Sequence, residues 1–198
     1  CRAARLDVLP SDAMTGHTAD DQAETVLLRL LRGAGADGLA AMRSGPRHPI
    51  LGLRRSETRA LCAAMRLPVA TDPTNTDPSF TRNRVRAEVL PLLDDIARRD
   101  VVPLLVRTAE LLHDDDGLLN ELAADLDPTD ALAVAAAPLP LARRTLRRWL
   151  TIEGYPPDAA AIERVLAVAR GERVACEIDG GRRVERSRQR LRVVSPAR

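Results

Sequence analysis

The sequence predicts an α/β segment followed by an α-helical domain that closes on a small β-hairpin or meander, mostly helical over its length. Three observations predict it. Ala13-Met14-Thr15-Gly16 reads as a short buried strand running into a helix. Apolar residues then recur at helical spacing through most of residues 18–170. From about residue 173 the spacing gives way to short β-branched runs broken by glycines. The first domain is expected over 1–97 and the second over 98–198.

The first helix is expected over about 18–32. Thr18 can cap it, with Asp21 in a capping-box position three residues on. Ala23, Val26, Leu27, Leu30 and Leu31 fall on one stripe, predicted to be buried, and Gly33 suits the position just past the last turn. Gly33-Ala34-Gly35-Ala36-Asp37-Gly38 has the spacing of a dinucleotide fingerprint. It follows a helix rather than a strand, so it is read as tight turns. Residues 43–53 form a loop, and Ser56 is expected to cap a helix reaching Met65, with Pro68-Val69-Ala70 as a second strand.

Residues 72–80 are dense in turn formers. A helix over about 81–97 should follow, with Val85, Val89, Leu92, Leu93 and Ile96 inward and a kink at Pro91. Helical spacing resumes from 101, residues 128–140 read as a connector, and two more helices fit 140–152 and 158–170. Val174–Ile178 and Leu191–Val194 read as strands, with Asp179-Gly180-Gly181 as the turn between them.

Composition narrows the function classes. Hydrophobic residues are 45% and charged residues 29%, as in a globular protein, and no apolar run approaches the ~20 residues of a membrane span. Cys1, Cys62 and Cys176 lie far apart with no C-x-x-C spacing, so a reducing cytoplasm is expected, with neither a disulfide framework nor a structural zinc. All 30 basic residues are arginine, so any anion is held by guanidinium forks. Residues 1–140 carry 16 arginines against 21 acids, and 141–198 carry 14 against 7, which points the C-terminal part toward a polyanion. With one Trp, one Tyr and one Phe, base stacking is a minor device, and Trp149 is expected to pack its own helix.

Three constellations carry chemistry. Asp20, Asp21 and Glu24 open the first helix beside His17. Asp21 and Glu24, three apart, can share a cation, an ammonium or a ribose hydroxyl, while acids here also complement the helix dipole. Arg82 and Arg86, four apart with Asn83 between them, can fork onto phosphate. Arg143, Arg144, Arg147 and Arg148 line one face of a helix whose other face is Ala142, Leu146, Trp149 and Leu150. Arg182, Arg183, Arg186, Arg188, Arg190 and Arg192 continue the basic surface on the strands.

These blocks resemble a known family. His17-x-x-Asp20-Asp21-Gln22-x-Glu24-Thr25, continued by Arg32-Gly33-x-Gly35, is similar to the second signature of the tRNA(Ile)-lysidine synthetases of the N-type ATP pyrophosphatase (PP-loop) superfamily. The likeness runs on through Gly38–Met42, Pro49–Glu57, Asp72-Pro73-Thr74-Asn75 and Phe80-Thr81-Arg82-Asn83-Arg84-Val85-Arg86.

The resemblance implies an incomplete Rossmann-like catalytic domain followed by a tRNA-binding domain. It implies a ligase that uses ATP with Mg2+ to adenylate C2 of the wobble cytidine of a tRNA(Ile) with a CAU anticodon. Free L-lysine then displaces AMP, and codon reading changes from AUG to AUA. Asp21, Glu24 and Asp20 would be catalytic, handling the lysine ammonium and its proton. His17, Arg82, Asn83 and Arg86 would meet nucleotide or substrate. Arg143, Arg144, Arg147, Arg148, Arg182 and Arg183 would meet tRNA. No resident metal or prosthetic group is implied, and a homodimer stays open.

The family's serine-glycine-glycine-x-aspartate-serine loop is absent from these residues, as is any G-x-x-x-x-G-K-[ST]. The expectation is therefore an N-terminally truncated chain, inactive alone. The competing readings are a non-catalytic tRNA-binding fragment and another PP-loop tRNA-modifying enzyme, such as a thiolation enzyme. The latter usually needs cysteines or an iron–sulfur cluster, which the cysteine spacing does not supply.

Overall fold

The computed structural model describes Pro10 and residues 13–70, 72–152 and 154–195, so Cys1 lies outside the described residues. The chain forms two compact units divided between Asp116 and Gly117.

In the first unit, α1 (Ala19–Leu30) begins where Thr18 donates both its N–H and its hydroxyl to the Asp21 carboxylate, each at 2.9 Å. The helix ends at Leu30, and the turn after it closes at Gly33, whose φ of 73° is cheap only for glycine. A short helix α2 (Ala36–Leu39) follows, and a Cβ at Gly38 would lie 2.6 Å from the Ala34 Cβ, so that close approach requires glycine. Then come α3 (Arg55–Ala64), a 3-10 turn (Pro73–Thr76), and α4 (Thr81–Arg84), which passes through a π-helical stretch (Val85–Val89) into α5 (Leu90–Ala97). The long helix α6 (Val102–Ala124) carries the point of division between the units.

The core of this unit is small: Ala19, Ala23 and Leu27 of α1 pack with Val85, Leu90, Val101 and Val102. Several expectations are corrected here. Residues 13–18 and 67–70 are irregular rather than strands. Of the α1 stripe, Ala23, Val26 and Leu27 are buried but Leu30 and Leu31 are exposed, as are Leu92 and Ile96 of α5. Periodicity marks which face can be buried, not how far a covering layer extends. The cap of α3 is Arg54, not Ser56; the Arg54 N–H donates to the Glu57 carboxylate at 2.6 Å, so the helix starts two residues earlier than the serine suggests. Pro91 sits in the first turn of α5, where its missing N–H costs least, and the irregularity lies before it as the π-helical stretch.

In the second unit, α7 (Ala131–Ala136), α8 (Leu139–Leu150) and α9 (Ala159–Arg170) pack against an antiparallel meander. Its strands, in order, are β1 (Ala175–Ile178), β2 (Arg182–Ser187) and β3 (Arg190–Val194). Cys176 pairs with Val184, and Val184 with Val193, which sets Cys176, Ile178, Val184 and Leu191 against Leu146, Leu150, Val165 and Leu166. Trp149 packs at the margin of this core, as its helix position implies.

Two further corrections fall in this unit. The stretch read as a connector contains α7, because the Asp130 carboxylate caps it by accepting from the Leu132 and Ala133 N–H groups at 3.0 Å, and Ala131 and Val134 are buried. The turn at Asp179-Gly180-Gly181 leads into a middle strand, β2, whose charged sequence masks its period; only Val184 in it is fully buried.

The second unit predicts a sharp contrast between its core and its surface. Leu146→Ala, at a fully buried site, should cost about 2–5 kcal/mol in urea unfolding. Leu132→Ala, on the exposed face of α7, should stay within about 0.5 kcal/mol of the parent.

Candidate active site

Three segments far apart in sequence converge at the start of α1. The capping geometry of α1 turns Asp20, Asp21 and Glu24 toward α3 and α4. Arg54 and Arg55 enter from the loop into α3, while Arg82 and Arg86 come from α4 and its π-helical continuation.

Glu24 is the centre. Its side chain is 0% exposed and accepts from three guanidiniums. Arg86 binds both oxygens, Nε to Oε1 at 2.7 Å and Nη2 to Oε2 at 3.2 Å. Arg82 Nε donates to Oε2 at 2.6 Å, and Arg55 Nη2 to Oε1 at 3.0 Å. Arg82 Nη2 also donates to the Asp21 backbone carbonyl at 3.1 Å and the Thr25 hydroxyl at 3.2 Å.

Asp20 is held by a two-point fork from Arg54 (3.1 and 3.2 Å) and by the Arg55 N–H at 2.7 Å. Arg54 also bonds Asp100. Asp21 takes Arg55 Nη2 at 3.1 Å besides its bonds from Thr18.

The surrounding charges lower the pKa values of these acids. Burial pushes the Glu24 carboxyl up, but the hydrogen bonds from Arg86 and Arg82 and the charge of Arg55 outweigh it and hold its pKa below the ordinary range. Burial also raises Asp21, against the larger combined pull of the Thr18 bonds and of Arg55 and Arg82. Asp20 is likewise lowered, with Arg54 and the Arg55 N–H opposing its burial. Bonding to Asp20 raises Arg54, and bonding to Glu24 raises Arg86.

Asp21 and Glu24 do share cations, as their spacing suggests, but the cations are arginines of this chain. An acid so depressed is a weak proton acceptor at neutral pH. The guanidinium partners also leave Asp20, Asp21 and Glu24 a poor fit for Mg2+, which needs carboxylate oxygens to spare. Among the described residues, no group of three or more His, Cys, Asp and Glu side chains is placed to hold a metal ion.

The other expected residues divide. Asn83 stands outside the network and ties down the preceding loop, donating to the Thr74 and Asp77 carbonyls at 2.8 Å. His17 joins a separate cluster: the Thr15 hydroxyl lies 2.8 Å from its Nδ1 and 2.5 Å from that of His48. Burial, aided by Arg47, pulls the His48 pKa down. Arg54 and Arg55 were not singled out as site residues. Their signal was available, since they follow Leu53 inside the family-like block at Pro49–Glu57.

In the second unit the two faces of α8 are largely as expected, with Ala142, Leu146 and Leu150 buried and Arg143, Arg147 and Arg148 exposed, while Arg144 and Trp149 are half-buried. Arg143 pairs with Glu163 at 2.7 Å, and Arg144 donates to Asn120 at 3.1 Å. Arg182 donates to the Leu150 carbonyl at 3.3 and 3.4 Å, Arg183 pairs with Glu185 at 3.3 Å, and Arg190 with Asp127 at 2.7 Å. The charge asymmetry shrinks at the structural boundary: residues 117–198 hold 14 arginines against 11 acids.

Comparison with known proteins agrees with both halves. Residues 8–93 match the PP-loop domain, and residues 130–192 match the TilS substrate binding domain. A tRNA(Ile)-lysidine synthase of Nocardia farcinica is 44% identical over 173 residues, covering 80% of this chain and 54% of that protein. One from Mycobacterium leprae is 45% identical over 163 residues (75% and 50%), and one from Mycobacterium tuberculosis 38% over 193 (86% and 60%). The chain thus combines a PP-loop domain with a TilS substrate binding domain. It belongs to the tRNA(Ile)-lysidine synthase family and spans about half the length of these relatives.

The network generates a stability prediction. Glu24→Gln removes the charge facing three guanidiniums and should cost about 3–5 kcal/mol. Folding lowers the pKa values of Asp20, Asp21 and Glu24, so their stabilisation is complete above the unfolded carboxylate range near pH ~4 and fades as pH falls through the folded values. Acid unfolding followed by circular dichroism should show this slope in the parent and a shallower one in Glu24→Gln.

Proposed function

We propose that the protein containing this chain forms lysidine on a tRNA(Ile) with a CAU anticodon, as a cytoplasmic ligase. ATP adenylates the C2 oxygen of the wobble cytidine with release of pyrophosphate, and the amine of free L-lysine then attacks C2 and expels AMP. One observation carries the reading. The His17–Thr25 block and the Arg82–Arg86 block, separate in sequence, meet on one buried carboxylate in a PP-loop domain. The names of the relatives support the same activity.

Within this reading the first unit belongs to an incomplete Rossmann-like catalytic domain, and the second serves tRNA. Glu24, Asp21 and Asp20 act by fixing the guanidiniums of Arg54, Arg55, Arg82 and Arg86. The side chains of Arg55, Arg82 and Arg86 keep 23%, 21% and 31% of their surface open, which leaves donor edges for phosphate oxygens. His17 lies close enough in sequence to meet the same nucleotide, and Asn83 sets the loop that places Arg82. ATP is a substrate here. These 198 residues contain no glycine-rich phosphate loop, so we expect the chain by itself to bind ATP weakly.

Arg143, Arg144, Arg147, Arg148, Arg182 and Arg183 supply phosphate contacts. The ion pairs at Arg143 and Arg183 are exposed and worth little, so they exchange readily for a polyanion.

The test is a chimaera in which this chain replaces the matching part of the Nocardia farcinica relative. With ATP, a CAU-anticodon tRNA(Ile) transcript and labelled lysine, it should incorporate lysine. Arg82→Ala should lower kcat/KM at least 10-fold, and tRNA binding without lysine-dependent AMP release would instead leave a binding fragment. In filter binding of the transcript by the chain alone, Arg143→Ala and Arg147→Ala should each reduce the salt slope by about 1.

A further inference from the structure

The helix that carries Arg82 and Arg86 is not wound evenly. Between α4 and α5 the Leu90 N–H donates to the Val85 carbonyl, five residues back, so Val85–Val89 form one wide π-helical turn. Such turns are rare inside helices and recur at functional sites. Arg86 stands within this one, and from it reaches the Glu24 carboxylate at 2.7 and 3.2 Å.

The apolar residues show what the wide turn does. Val85 and Leu90 are 1% and 7% exposed, and they share one core with Val89 and Leu93. At about 100° per residue, an unbroken α-helix would spread these four over an arc of about 140° from Val85 to Leu90. Arg86 would then project about 100° from Val85, inside that arc and between Leu93 and Leu90. A guanidinium there would point into the core. Five-residue bonding instead brings Leu90 nearly over Val85, which closes the arc and leaves Arg86 beside it. One helix thereby serves both the core and Glu24.

Pro91 supplies the cause. In α-helical register its ring would collide with the Ala87 carbonyl four residues back, and it has no N–H to offer that carbonyl. The wide turn moves the carbonyl away from the ring. Ala87 is exposed, so water can meet the group left unbonded. We propose that Pro91 is a positioning residue: it holds Val85–Val89 in the wide turn and so aims Arg86 at Glu24, with a donor edge left for a phosphate of the substrate. The assignment rests on the lysidine reading, which puts Arg86 at nucleotide or substrate.

Two readouts test it. The first uses the 198-residue chain and needs no catalysis. Burial raises the Glu24 pKa, and Arg86 is foremost among the bonds that lower it. Freed of Arg86, the folded pKa moves back toward the unfolded value, and the slope of acid unfolding becomes shallower. Pro91→Ala should show the shallower slope of Arg86→Ala, and the double variant should add nothing further. Pro103→Ala, in the first turn of α6, should keep the parent's slope. A proline that only stiffens the fold would shift the thermal midpoint and leave the slope alone. Removing Pro91 restores an N–H to the helix, so the variant should fold, as its melting curve will check. Pro91→Ser restores the same N–H and repeats the comparison.

The second readout is lysine incorporation by the chimaera with the Nocardia farcinica relative. Pro91→Ala should lower kcat/KM at least 10-fold with tRNA affinity within about 2-fold of the parent, and should be silent on top of Arg86→Ala. A parental acid slope in Pro91→Ala, or an activity loss that multiplies with that of Arg86→Ala, overturns the assignment. A parent chimaera that forms no lysidine removes the underlying reading, and the acid slope then decides alone whether Pro91 sets Arg86.

Discussion

One buried carboxylate organises the first unit. Glu24 has no exposed side-chain surface, and an ionised group in that position is tolerable only when its lone pairs are all engaged. Arg55, Arg82 and Arg86 engage them from two different segments, so the ion cluster ties the start of α1 to α3 and to the helix that begins at Thr81. The apolar core around Ala23, Leu27 and Val85 is too small to define those orientations by packing alone. What the core leaves loose, the directional bonds fix.

That arrangement decides what chemistry the site offers. Around the three acids at the start of α1 stand four guanidiniums, with Asp100 as a further partner of Arg54. The acids are held ionised by their partners, and each bonds at least one guanidinium of this chain. The outward resource is the unused donor edge of each arginine. An anion therefore meets this surface more readily than a cation. The second unit follows the same economy on a smaller scale: its arginines bond carbonyls or single acids nearby, held in place but not consumed.

The elements that could be read in advance had local signatures. The capping box at Thr18, the glycine after α1, and the apolar and basic faces of α8 are all written within a few residues, and the structure has them. Two features lacked such a signature. In β2, four of the six residues are charged, so its alternation is visible only from its pairing with β1 and β3. The exposed Leu30, Leu31, Leu92 and Ile96 carry the right period for a core, and periodicity cannot tell how much protein lies above a face. The site behaved likewise. Spacing brought out the acids and Arg82 with Arg86, but that these residues face each other is a tertiary fact, and so is the entry of Arg54 and Arg55.

The absence of lysine from the chain gains a physical meaning at this point. The network depends on what only a guanidinium does. Arg86 reaches both Glu24 oxygens, Arg82 divides its donors among Glu24, the Asp21 carbonyl and Thr25, and Arg55 spans Asp21 and Glu24 with one nitrogen. A planar, multi-donor cation can satisfy one partner and still present an edge elsewhere; an ammonium is a point charge with no such division. The residue that neutralises the buried acid and the residue that can face a phosphate are therefore the same residue. For this reason a carboxylate with no exposed surface shapes how the site meets its substrate.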